Sequence, residues 1–234
     1  MTLSEEKLNA PEIQNEVSAS GDVIPGGSSR SRQILSLMIL GLASLGLIHF
    51  TDLYLYRASK SFLPGVAWIP DARITSSLLA FGIYVLVGKI WPRYRDFLQK
   101  TDVFWVAGVS LVWLATAAIA DFGFRVYLPP VHGPVRTAAF LVFGVMAEEF
   151  LFRGAIFSVA KNIGGSWFAI ATSAVFFSVS HLQYHNFQLT AAAFAQMAYT
   201  LPMGVAFGFV RDRSDSLWPP MVLHFLNNGL ALMR

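Results

Sequence analysis

The 234-residue sequence contains no cysteine, which excludes disulfides, thiolate metal sites and a cysteine nucleophile. Charge is scarce as well: 13% of residues are Asp, Glu, Lys or Arg, whereas ordinary soluble domains carry about a quarter. That deficit points to lipid as the solvent. No basic stripe with interleaved aromatics is present, so nucleic-acid binding is excluded. The compact His-Glu-x-x-His helix of common zinc proteases is missing, as is any serine or cysteine nucleophile motif. No repeat at solenoid spacing and no inverted-repeat pair stands out, which weighs against a secondary transporter.

What the chain does have is apolar. Hydrophobic residues make up 55% of it, with 20 Phe and 6 Trp, and the mean hydropathy is +0.53. The formal charge of +3 comes from basic residues in short stretches beside apolar runs, a membrane-topology pattern. Runs long enough to cross a bilayer, about 17 to 25 residues each, fall at 33–50, 75–92, 102–120, 137–158, 165–182, 187–210 and 217–233. The expected fold is an all-α, polytopic transmembrane bundle of about seven helices. Residues 1–32 are polar, without an apolar run, and read as a disordered tail. Residues 33–100 read as N-terminal membrane helices and 101–234 as the region carrying chemistry, with interfacial loops at 51–74 and 121–136. Placing the N-terminus in the cytoplasm gathers Arg30, Arg32, Lys89, Arg93 and Arg95 among others on the inner side, a moderate positive-inside bias.

Ionisable residues within such runs are expensive and point to function. The sequence Ala147-Glu148-Glu149-Phe150-Leu151-Phe152-Arg153 places Glu149 and Arg153 four apart on one helix face, acid before base, where they can pair. Glu148 lies about 100° around the helix from Glu149, with no local cation. A carboxylate in that position suits general acid–base chemistry. Phe177 and His181 share a face at the end of the fifth run. His185 reads as interfacial. After Pro219 and Pro220, placed where missing N–H groups do little harm, His224 and Asn228 are again four apart and present two donors to one point, as a developing oxyanion requires. Asn227 faces another side and reads as an interhelical clamp. Gly204 and Gly208, at small-xxx-small spacing, are explained by close helix packing alone.

The order of these motifs, a double Glu with Arg four residues after the second, then Phe-xxx-His, then His-xxx-Asn, resembles the CPBP/Abi intramembrane proteases, the CAAX-processing and bacteriocin-processing endopeptidases. The likeness spans roughly 104 to 232 and includes Gly204, Leu217, Trp218 and Pro219. The resemblance implies an endopeptidase of the bacterial cytoplasmic membrane acting on a membrane-associated protein or peptide, by CAAX-type or leader-peptide processing. Glu148 would activate water with help from His181. His224 and Asn228 would stabilise the oxyanion, and Glu149, Arg153 and Phe177 would shape the site. A metal-free glutamic protease without cofactor is the favoured form, and zinc on Glu148, His181 and His224 is the alternative, since one Glu and two His can make an open three-ligand site. A non-enzymatic immunity or scaffold protein is the competing reading, and a proton-coupled transporter the third. One difficulty is depth. Straight helices at about 1.5 Å per residue place Glu148 and His181 some 22 Å from a 159–164 loop, but His224 only about 12 Å from a 211–216 loop on the same side.

Overall fold

The computed structural model describes residues 27–50, 69–90, 103–123 and 134–232. Among the described residues every regular element is helical. In chain order these are α1 (Gly27–Phe50), α2 (Ile69–Ile90), α3 (Val103–Gly123) and α4 (Pro134–Glu149). A π-helical segment (Phe150–Ile156) follows without interruption, then α5 (Phe157–Ser180), a 3-10 turn (His181–His185), α6 (Ala191–Ser214) and α7 (Trp218–Leu232). The expected tail lies outside the described residues up to residue 26, and α1 takes in Gly27 to Arg32 as its first turns. The interfacial loops expected at 51–74 and 121–136 lie largely outside them too. Their described margins, 69–74, 121–123 and 134–136, are helical.

Two stretches, Leu141–His185 and Ala191–Ser214, are long and apolar enough to cross a bilayer by length and composition. Large apolar side chains also face outward along several helices, among them Leu42, Leu86, Leu111, Val112, Trp167 and Val175. Outward-facing apolar side chains along several helices suit a lipid surrounding.

The centre of the bundle is the run from Ala147 to Ala160, every residue of which is buried. A helix apolar all round must be enclosed on every side, and α2, α5 and α6 pack against this one. Close approach is supplied by small residues. A Cβ on Gly154 would stand 2.6 Å from the Tyr84 ring, and one on Gly204 would stand 2.9 Å from the Ala174 Cα. Gly208 faces Ile170 at 3.4 Å, so the Gly204/Gly208 pair does bring α6 hard against α5. Pro202 sits inside α6, on its exposed side, where loss of an N–H donor is tolerated best.

The depth difficulty is removed by two features. No loop occupies 159–164: the helix runs on and breaks at Gly165 (φ 77°, ψ −172°), a backbone conformation that glycine adopts readily. The turn between α6 and α7 is itself inside the protein, with Ser214, Ser216 and Leu217 buried. Its polar groups are satisfied locally. Ser214 Oγ donates to the Ser216 carbonyl at 2.9 Å, and the Trp218 amide donates to Ser216 Oγ at 3.3 Å. Asp215 takes the left-handed conformation that reverses the chain. Because the turn starts deep, α7 needs only two turns to bring His224 level with Glu149.

Candidate active site

The last residues of α4, the π segment, the end of α5 and the second turn of α7 meet around one buried polar cluster. Glu149 is completely enclosed. Its Oε1 accepts from Arg153 Nη1 at 3.0 Å and lies 2.8 Å from His224 Nδ1. The Arg153 guanidinium stacks on Phe177, 4.1 Å from the ring centroid, and lies 5.1 Å from the centroid of Phe207. Burying a charge is tolerable where it is paired and its faces are covered by aromatic rings. The same two rings bracket His224, at centroid separations of 5.6 Å for Phe177 and 5.0 Å for Phe207. Phe177 thus contacts the arginine, His224 and, at 4.8 Å, His181.

Glu148 is placed differently from its neighbour. It makes no ion pair with Arg153. Its Oε2 lies 3.7 Å from His224 Nε2, and its side chain keeps 10% of its surface open. His181 is similarly close to closed but not sealed, at 8%. His181 Nδ1 lies 2.8 Å from the Phe177 carbonyl. A carbonyl only accepts, so Nδ1 carries a proton, and Nε2 is the ring atom left to face the site. The π segment that begins one residue after Glu149 alters the angular step along the helix, a device common where helices carry function.

Asn228 is half-buried one turn beyond His224. Its carbonyl oxygen accepts from Asn227 Nδ2 at 3.2 Å. Asn227 is the clamp its position suggested: its Oδ1 accepts from Trp113 Nε1 of α3 at 3.0 Å and from Tyr199 OH of α6 at 3.1 Å. His185 Nε2 lies 2.6 Å from Gln196 Oε1 and so ties the 3-10 turn to α6.

Sequence spacing anticipated the Glu149–Arg153 pair and the Phe177–His181 contact. It missed three things: the bond from His224 to Glu149, the second aromatic wall from Phe207, and the reach of Trp113 and Tyr199 to Asn227. Phe207 stands between Gly204 and Gly208, so the motif read as mere packing carries a site wall between its glycines. Among the described residues no three His, Cys, Asp or Glu side chains are placed to hold a metal ion. His224 Nδ1 and His181 Nδ1 are both engaged, which leaves Nε2 as the ring atom each histidine offers to water, substrate or metal.

Residues 130–230 match the family model described as type II CAAX prenyl endopeptidase Rce1-like. The matched region holds the whole buried cluster, so the site lies where the chain is similar to these endopeptidases. The match supports the CPBP/Abi family that the motif order implied. No curated protein and no solved structure gave a match.

Proposed function

We propose that the chain is a multi-pass, metal-free endopeptidase that hydrolyses a peptide bond in a membrane-associated substrate of CAAX type, with Glu148 as general base. The observation that carries this reading is the division of labour between adjacent carboxylates. Glu149 is fully enclosed and already engaged by Arg153 and His224, whereas Glu148 retains an opening and has no arginine partner. A general base must reach water, and Glu148 is the member of the pair that can.

In this mechanism water sits between Glu148 and Nε2 of His181. As water adds to the scissile carbonyl, its proton passes to Glu148. The oxyanion is met by Asn228 Nδ2 and by the Nε2 edge of His224, whose Nδ1 is held by Glu149. Collapse of the tetrahedral intermediate breaks the C–N bond, and Glu148 returns its proton to the leaving amine. Glu149 fixes the His224 ring much as a buried acid orients the histidine of other hydrolases, and Arg153 balances its charge. No covalent intermediate is required.

The test is cleavage of a quenched fluorescent peptide bearing a farnesylated cysteine followed by three residues, with purified protein in detergent. Glu148→Gln is expected to lower kcat by about 10³, within the range lost with a general base, with the melting profile unchanged. A Glu148→Gln protein cutting within tenfold of wild type would remove Glu148 from the role of base, and no cutting by either folded protein would return the chain to the non-enzymatic scaffold reading. An unprenylated peptide cut equally well would move the substrate class to leader-type sequences.

A further inference from the structure

We propose that Asn227, held by Trp113 and Tyr199, is a positioning residue that sets the amide of Asn228 in its oxyanion-donating orientation. This inference rests on the proposed role of Asn228. The indole Nε1–H of Trp113 can only donate, so the Asn227 atom facing it at 3.0 Å is the carbonyl oxygen. The Tyr199 hydroxyl donates to the same oxygen at 3.1 Å. Two donors from two helices therefore fix which way the Asn227 amide lies. Its Nδ2 is left facing Asn228, and an NH2 group can only donate, so Asn228 must present Oδ1 to it, as it does at 3.2 Å. The consequence is at the far side of Asn228. With its oxygen occupied, what it offers the site is Nδ2, a donor, rather than a carbonyl that would repel an oxyanion.

The chain of orientation is physically continuous with the site wall. Trp113 packs 6.0 Å from Tyr199 and 6.3 Å from Phe207, centroid to centroid, and Phe207 covers His224. Trp113 and Asn227 are buried, so water does not replace the bonds readily. An asparagine with no such bias could adopt either of two amide orientations of nearly equal shape, only one of which donates. The arrangement removes that ambiguity before substrate arrives, which is what preorganised electrostatic stabilisation demands.

The experiment is a mutant cycle on the farnesylated peptide reporter: wild type, Trp113→Phe with Tyr199→Phe, Asn228→Ala, and all three changes together, with Glu148→Gln run beside them. Removing both donors is expected to lower kcat by at least about tenfold while KM stays within about twofold, part of the loss expected for an oxyanion donor. In the Asn228→Ala background the same two changes are expected to move kcat by less than about twofold, since there is no longer an amide to orient. Tyr199→Phe alone removes one hydroxyl, keeps the ring, and serves if the paired change unfolds. Its expected loss is about threefold, present with Asn228 and absent without it. Equal losses in both backgrounds, an effect on KM alone, or no effect would overturn the proposal. If Glu148→Gln is inactive while the cycle is additive, only the positioning role falls. If wild type and Glu148→Gln behave alike, the reading of the site falls and this inference with it.

Discussion

Replacing Arg153 with Met separates what holds the site together from what performs chemistry in it. In the wild type, Glu149 and Arg153 are both fully buried and paired at 3.0 Å, and the guanidinium lies 4.1 Å from the centroid of Phe177. Methionine fills much of the same volume but leaves Glu149 as a buried carboxylate whose only remaining close partner is His224 at 2.8 Å. Breaking a buried pair from one side costs about 3 to 5 kcal/mol, and loss of the stacked cation adds about 1 to 2 kcal/mol. His224 offsets part of this, so a net cost of about 3 to 4 kcal/mol is expected. For a chain of this size each kcal/mol moves the unfolding midpoint by about 2 to 4 °C. The expected fall is therefore on the order of 10 °C, read from tryptophan fluorescence of the protein in detergent.

The second half of the experiment adds Glu149→Gln to Arg153→Met. With both charges gone, the buried-charge penalty disappears, and neutral replacement of a buried pair is often neutral or stabilising. At least half of the lost midpoint is expected to return. Activity is not. Glutamine leaves His224 Nδ1 without its carboxylate partner, so cleavage of the reporter peptide is expected to stay at least about 10²-fold below wild type, comparable with loss of a group that orients a catalytic histidine. A single Arg153→Met protein as stable as wild type would refute the buried-charge reasoning. A double variant that regains activity along with stability would refute the assignment of Glu149 to His224.

Two further outcomes follow from the packing and from the proposed mechanism. Gly204→Leu is expected to destabilise by at least about 3 kcal/mol, above the ordinary overpacking range of 1 to 3 kcal/mol, because even its Cβ would lie 2.9 Å from the Ala174 backbone; an unchanged midpoint would show that α5 and α6 can separate freely. Dialysis against a strong chelator is expected to leave reporter cleavage within about twofold, because the proposed mechanism activates water with Glu148 and routes no step through a metal. Loss of activity restored by zinc alone would reverse that.

The general architecture was legible because each of its signals is local. Apolar runs mark helices, and spacings of four residues mark shared faces, which is why Glu149 with Arg153 and Phe177 with His181 could be paired from the sequence. What it could not supply was the vertical register between helices. A loop was expected at 159–164, since a run of Lys161, Asn162 and paired glycines reads as a break. The helix instead continues to Gly165, and Lys161 meets Asp212 across the bundle at 2.7 Å. Nor does anything in Ser214-Asp215-Ser216 announce a buried turn. Three short polar residues usually mark a surface loop, and the bonds among the two serines and the backbone allow Ser214 and Ser216 to lie inside while Asp215 stays partly exposed.

That buried turn and the π segment explain why two identical residues in succession can do different work. Adjacent positions on a regular helix differ by about 100°, which is enough to point Glu148 and Glu149 at different neighbours but not to decide which of them is sealed. The decision comes from what stands opposite. Because α7 begins deep, His224 arrives beside Glu149, and because Phe177 and Phe207 flank both Arg153 and His224, that side of the helix is closed by rings. Glu148 keeps a small opening beside the His224 Nε2 edge. A neighbouring acid of the same type, held rigid and charge-balanced, is then what keeps His224 aimed at Glu148 rather than at the arginine. In the proposed mechanism the doublet is a base and its support, and exchanging their surroundings would exchange those roles.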